Sequence, residues 1–282
     1  MQNDGIILVN KRKDWTSRDV VNKACRLLNT KKIGHCGTLD PFATGILILG
    51  VNKGTKILQF LENGRKKYIA KLKLGVLTET LDITGKEVEN VPFETYEKSK
   101  IIEVLQSFLG KSMQLTPKYS ARKVDGKKLY EYARQGIEIE DIYREIEVFN
   151  IGLIEYKDDC ITFLAEVSKG TYIRQLGLDI AKKLGTAGIL EELERISVGN
   201  FTLDQAIDVE EISYDKIYDY NKSLDFMPIV TVNGELLKMV SNGMTIRLNS
   251  NEEIVLIKND KNENLAVYQK YKNGLYKSLR GL

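Results

Sequence analysis

Cysteine and histidine are scarce in this chain of 282 residues, and no apolar run is long enough to cross a membrane. Three cysteines (Cys25, Cys36 and Cys160), an odd number without paired spacing, argue against a disulfide framework and fit a reducing compartment. His35 is the sole histidine. It adjoins Cys36, but no C-x-x-C or H-x-x-x-H accompanies the pair, short of the roughly four ligands of a zinc site. No metal is expected. A membrane helix needs roughly 18 apolar residues in a row, and the opening MQNDGIILVN lacks the basic-then-apolar layout of a signal peptide. The expectation is a cytoplasmic protein without a membrane partner. Also missing are a Walker-type phosphate loop, a dinucleotide fingerprint, a Ser-His-Asp order and an H-E-x-x-H.

What is present is enough apolar sequence for a sizeable core: 43% hydrophobic against 29% charged residues. The formal net charge of +3 hides an uneven layout. Residues 1–75 hold 15 Lys/Arg against 5 Asp/Glu, residues 76–228 hold 19 against 29, and residues 229–282 hold 8 against 5. Within the acidic middle, Lys111, Lys118, Arg122, Lys123, Lys127, Lys128 and Arg134 face only Asp125 and Glu131 over residues 111–134. Basic blocks of this kind attract phosphate backbones.

Periodicity predicts a short buried strand over Gly5–Asn10 and a helix over Ser17–Leu28, capped by Thr16 or Ser17. A long loop follows from Asn29 to Thr44, then a strand over Gly45–Val51 and a short helix over Thr55–Leu61. Lys66–Leu74 alternates, with Tyr68, Ala70, Leu72 and Leu74 on one face and Ile69 with three lysines on the other, as a half-buried strand does. Helices are expected over Ser99–Leu109, Lys127–Arg134 and Gln175–Leu184, closed by Gly110, Gly136 and Gly185. Strands are expected around Glu145–Tyr156 and Cys160–Val167, and a further helical region over Leu203–Ile212. Pro228 marks a composition shift. Beyond it, Met244–Leu248, Glu253–Ile257 and Leu265–Tyr271 read as short strands between Asn/Gly turns. The fold class is α+β, with a largely antiparallel sheet flanked by helices over residues 1–228 and a small β-rich module over residues 229–282.

Four stretches could carry chemistry. In Gly34-His35-Cys36-Gly37-Thr38-Leu39-Asp40-Pro41-Phe42-Ala43-Thr44-Gly45, Pro41 biases Asp40 away from helical geometry and sets its carboxylate on a rigid bend. An ordinary Asx-turn is the plainer reading of that Asp. In Ser168-Lys169-Gly170-Thr171-Tyr172-Ile173-Arg174, Arg174 could pair with a carboxylate in a cleft. In the stretch from Pro117 to Lys128, basic residues interleave with Tyr119 and Gly126 in a way that suits RNA backbone contacts. The fourth is the polar loop Gly75–Gly85, which follows the strand bearing Tyr68.

Together these motifs resemble the TruB family of tRNA pseudouridine synthases, the uridine-55 enzymes of bacteria. G-H-x-G-x-L-D-P-x-A-x-G matches Gly34 to Gly45, and G-x-x-T-x-T-x-D-x-x-G matches Gly75 to Gly85. Y-S-A-x-K-x-x-G-x-x-x-Y-x-x-A-R-x-G matches Tyr119 to Gly136, and S-K-G-T-Y-I-R matches Ser168 to Arg174. The likeness spans about residues 4–200 in order, and the tail is similar to the family's PUA-type RNA-binding domain. One motif departs. The family opens with K-P-x-G-x-[ST]-S, whereas Lys11-Arg12-Lys13-Asp14-Trp15-Thr16-Ser17 lacks both the Pro and the Gly.

The resemblance implies a pseudouridine synthase fold, no cofactor, a monomer, and the T stem-loop of tRNA as partner. It implies Asp40 as the nucleophile on a flipped-out uridine, with attack at C1′ or C6 left open. Tyr68 would stack on the uracil and serve as base, and Arg174 would hold the aspartate. Tyr172 and Leu193 would line the pocket, His35 would enter the space vacated in the T loop, and Lys11 and Lys123 would contact the RNA. Two rivals are a non-catalytic RNA-binding protein and a hydrolase using Asp82 as a second carboxylate.

Overall fold

The computed structural model describes residues 3–282. A single 11-stranded sheet runs through the larger part of the chain. Its main path crosses, in order, Ile207–Asp208, Gly5–Lys11, Thr44–Val51, Gly188–Val198, Lys66–Leu74, Cys160–Val167, Tyr143–Lys157 and Gly110–Leu115. Neighbours are antiparallel except for two pairs: Gly5–Lys11 with Ile207–Asp208, and Thr44–Val51 with Gly188–Val198. The α+β expectation therefore holds.

The strand Lys66–Leu74 alternates buried and half-buried positions along its whole length, with Tyr68, Ala70, Leu72 and Leu74 inside. Their face packs under two helices, Lys98–Gln106 and Ile173–Lys183, through Ile101, Leu105, Leu176 and Ile180. The helix Ser17–Leu27 starts at a capping box in which Thr16 and Asp19 bond each other's main chain. Its Val20, Val21 and Ala24 cover Ile7, Val9, Leu47 and Leu49.

Three expectations needed correction, and one strand had gone unread. Within the Asn29–Thr44 loop, Ile33–Cys36 pairs as a strand with Thr44–Val51, so His35 is a strand residue opposite Leu49. Lys127–Lys128 belongs to a two-residue hairpin with Lys123–Val124, and the helix begins only at Leu129. Leu203–Ile212 is not a helix but two single 3₁₀ turns around a two-residue strand. Thr202 and Asp208 each form a capping box, so each side chain restarts the chain instead of letting one helix propagate. Gly188–Val198, the middle strand of the sheet, gave no strand signal because bulges at Leu190/Glu192 and Arg195/Ser197 break its two-residue period.

The C-terminal sheet contains Ile229–Thr231, Ile246–Arg247, Ile254–Lys258, Asn264–Lys272 and Leu275–Gly281, and forms a PUA-like β-rich unit. It also carries a helix, Gly234–Ser241, that the sequence reading passed over. Leu256 and Val267 of this sheet share a buried cluster with Ile6, Leu8, Ile46 and Leu224 of the larger unit. No helix among the described residues is long and apolar enough to cross a membrane.

Candidate active site

Asp40 sits on the turn between the paired strands Ile33–Cys36 and Thr44–Val51. The turn is gripped from below. Ser17 Oγ accepts from the Leu39 amide at 2.9 Å and donates to the Leu39 carbonyl at 3.2 Å. The Pro41 carbonyl accepts from the Asp14 amide at 2.8 Å and from Lys11 Nζ at 3.2 Å. Arg195 Nη2 donates to the Gly37 carbonyl at 3.1 Å, and its Nε to the Ile46 carbonyl at 2.9 Å. Leu39, Phe42 and Ala43 anchor the same turn in the main core. The carboxylate thus stands on a segment fixed at both ends, as a positioned reactive group requires.

The opening motif's missing glycine has a structural answer. Asp14 occupies the glycine position and takes the left-handed conformation itself, at φ 65°. The turn that presents the Asp14 amide to Pro41 is therefore kept.

Arg174 lies in the first turn of the helix Ile173–Lys183. Its Nε meets Asp40 Oδ2 at 2.8 Å and its Nη2 meets Asp40 Oδ1 at 3.2 Å, a two-pronged grip. Nη1 donates to the Thr80 carbonyl at 2.6 Å, and Nη2 also reaches the Tyr119 carbonyl at 3.0 Å. The guanidinium is 5% exposed while Asp40 is 35% exposed, so the pair is buried on the arginine's side and open on the carboxylate's. That asymmetry suits a carboxylate that must meet a ligand while its partner does not.

Asp82 supplies the other negative charge at Arg174, with Oδ2 at 3.5 Å from Nη1. Its Oδ1 accepts from Thr80 Oγ1, the Thr84 amide and Thr84 Oγ1. Leu81, next to it, is held at φ 63°, a strained value for a branched side chain. Asp82 is buried, its oxygens are committed, and it is absent from the cavity wall. It does not offer the second free acid of a two-carboxylate hydrolase.

A cavity of about 370 Å³ opens in front of Asp40, within the roughly 300–1,000 Å³ of small-molecule sites. Tyr68, Tyr172, Leu193, Asp40 and Arg174 line it together. Tyr68 is flanked across the sheet by Ala165 and Arg195. Tyr172 is fixed through its main chain: its amide donates to Gln114 Oε1 at 2.9 Å and its carbonyl accepts from Gln114 Nε2 at 3.0 Å. The remaining wall is cationic, with Lys66, Arg122, Arg144, Lys169 and Arg195 against Glu62.

Three expected residues lie off this wall. Lys11 is fully buried, and its ammonium donates to the Arg12, Trp15 and Pro41 carbonyls. It holds the Asp40 turn rather than facing a ligand. Burial pulls it down to about 8, with Asp40 and Asp14 acting against the fall. Lys123 is exposed on the hairpin Lys123–Lys128, outside the cavity. His35 is half-buried behind the turn with Nδ1 unpartnered. Burial, then Arg18 and Arg195, lower its pKa, so the ring is neutral near pH 7.

The sequence reading gave Ser17 only a capping role and did not single out Gln114, Arg144 or Arg195. Gln114 and Arg195 are buried polar residues on strands. Arg195 shares a strand face with Leu193, but the bulged strand that carries both gave no signal by which to find it.

Comparisons with known proteins place the chain in a family. A family model described as "TruB family pseudouridylate synthase (N terminal domain)" matches residues 25–173, more than half of the chain. The chain is 39% identical to the tRNA pseudouridine synthase B of Thermotoga petrophila, over 96% of this chain and 92% of that protein. It is 39% identical to the protein of the same name from Mycoplasma capricolum, over 100% of this chain and 98% of the other. Among solved structures, a Cbf5–Nop10–Gar1 complex superposes with a TM-score of 0.75 at 24% identity, covering 99% of this chain and 85% of the matched one. An H/ACA RNP bound to a substrate RNA containing 2′-deoxyuridine gives 0.71 at 23% identity, covering 98% and 84%. At these identities the two superpositions speak for the fold alone.

Proposed function

Because the chain belongs to the TruB family of pseudouridylate synthases, we propose that it isomerises uridine-55 in the T loop of tRNA to pseudouridine, with the Asp40 carboxylate as nucleophile. The observation that carries this reading is the Asp40–Arg174 pair: a two-pronged, one-sided ion pair at the floor of a nucleotide-sized cavity. Arg174 orients the carboxylate through its two-pronged grip. The acid acts as a transient covalent partner. The C1′–N1 bond breaks, the uracil turns, and C1′ bonds to C5. The C5 proton leaves and N1 gains one, so no atom is lost and no redox partner is needed. Tyr68 stacks on the base and takes the proton, while Tyr172 and Leu193 confine the ring.

The uridine must leave its stack to reach a carboxylate at the floor of a cavity. His35, neutral on the strand that precedes the Asp40 turn, fills the space it vacates. Lys123 and its hairpin neighbours contact the RNA backbone, as does the C-terminal unit over residues 229–282, the remainder being the catalytic domain over 1–228. The enzyme works as a cytoplasmic monomer.

The test is to incubate an unmodified tRNA transcript with the protein and map pseudouridine by carbodiimide-dependent reverse-transcription stops. A stop at position 55 is expected. Modification elsewhere, or none, rejects the site assignment.

A further inference from the structure

Arg144 is the cation of the cavity wall that the chain leaves uncommitted. Arg174 is spent on Asp40, Asp82 and two carbonyls. Lys66 donates to the Glu62 and Gly64 carbonyls, and Arg195 to those of Ile46 and Gly37. Lys169 pairs with Glu62 and Asn63, and Arg122 reaches Thr116. Arg144 has no such partner among the described residues, and its Nε is buried without any acceptor. The carboxylates on the same wall are already engaged: Asp40 with Arg174, and Glu62 with Lys169.

A buried guanidinium N–H without an acceptor is costly unless a ligand supplies one. Arg144 is also held in place to meet such a ligand. It stands on the strand Tyr143–Lys157, opposite Gln114 on the neighbouring strand. Its guanidinium lies flat against Gly170, where a Cβ would overlap Cζ and both Nη atoms. Gly170 is at φ 82° as well, so glycine there serves both the turn and the space the arginine occupies. The planar fork is presented, already oriented, to the cavity that holds Asp40.

We infer that Arg144 binds the phosphodiester flanking the everted nucleotide, fixing the depth to which that nucleotide enters. This rests on the reading of the cavity as a nucleotide site. A phosphodiester is the only anion that a uridine within an RNA strand carries, and its two free oxygens match a guanidinium fork. A phosphate held at Arg144 and a ribose held over Asp40 together give two fixed points, which is what orienting the glycosidic bond requires.

The experiment is a coupling cycle on a synthetic T stem-loop. The phosphate 5′ or 3′ of the target uridine is replaced, one at a time, by an uncharged methylphosphonate. Pseudouridine formation and equilibrium binding are measured with the wild-type protein and with Arg144→Ala. One of the two replacements is expected to lower wild-type kcat/KM by roughly ten- to a hundredfold, the worth of a charge-assisted bond. Arg144→Ala should cost as much, and the two changes together no more than either alone. Arg144→Lys should recover part of the loss, and Gly170→Ala, which displaces the guanidinium, should mimic Arg144→Ala. Should Arg144→Ala not fold, the same cycle is read with Arg144→Lys. Independent, multiplying effects at both positions would overturn the inference, as would indifference to both replacements. If the unmodified stem-loop is bound but never converted, the functional reading fails instead, and the cycle in binding affinity still decides the phosphate contact.

Discussion

Asp40 and Tyr119 reach Arg174 from two segments built in opposite ways. The Asp40 turn spans a few residues and is fixed by two fully buried cations, Lys11 and Arg195, by Ser17, and by three core side chains. Tyr119 belongs to an excursion of the sheet's edge, residues 116–142, closed at its base by the Thr116 amide on the Ile142 carbonyl. That excursion meets the site through the Tyr119 carbonyl on Arg174 and a long Tyr119–Glu79 bond of 3.4 Å. Its tip is a pair of two-residue strands, and its basic side chains point to solvent or half-way to it. Segments with little buried apolar surface open at low cost, whereas segments threaded through a core do not. On the proposed function, the contrast separates two tasks: the chemistry falls to the fixed side, and contact with the RNA to the side with little buried apolar surface.

The sharpest way to break this contrast is to remove the residue common to both. Arg174→Ala should lower kcat/KM by about a thousandfold or more, since Asp40 loses its partner and the excursion its dock. It should also destabilise the fold by about 3 kcal/mol, because Asp82 is left buried without its cation. Steady-state kinetics and urea unfolding check both parts. Near-normal activity in a folded Arg174→Ala protein would dissolve the comparison.

A substitution on the fixed side alone comes next. Lys11→Met strands three carbonyls at once and should cost about 2–3 kcal/mol of stability, with kcat falling and RNA affinity held. Loss of affinity with an intact kcat would place Lys11 on the RNA side instead. On the adaptable side, Lys123→Ala with Lys127→Ala should leave kcat unchanged and weaken tRNA binding. It should also reduce the slope of log K against log salt by about 2; an unaltered slope would mean that the hairpin tip does not touch phosphates.

The smallest expected effect concerns His35. Its pKa is lowered from 6.5 by burial and by Arg18 and Arg195. The unfolded chain therefore binds the proton more readily than the folded one. Stability from this group is complete above pH 6.5 and is lost as the pH falls toward the lowered value. As His35 is the only histidine, His35→Gln should reduce the drop in Tm between about pH 7.5 and about pH 5.5. An undiminished drop would show that other groups govern it.

Legibility followed a different division, between local and distant signals. The alternation of Lys66–Leu74 was plain in the sequence because nothing interrupts it, and it placed Tyr68 on the inner face. The motif around Asp40 was plain because Gly37, Pro41 and Gly45 are local signals. Hidden from the sequence was everything that depends on distant pairing. The central strand Gly188–Val198 is broken by bulges whose partners lie more than a hundred residues away. The grip of Gln114 on Tyr172 spans 58 positions, and that of Arg195 on Gly37 spans 158. Even the motif that seemed defective, Lys11-Arg12-Lys13-Asp14, keeps its turn, because an aspartate can take the left-handed conformation a glycine would.

The most direct test of the central claim is tritium release from a tRNA transcript carrying [5-³H]uridine. The wild-type protein should release label as C1′ bonds to C5, and Asp40→Asn should release none while binding the transcript within about threefold of wild type. Release by Asp40→Asn at an undiminished rate would remove the carboxylate from the reaction.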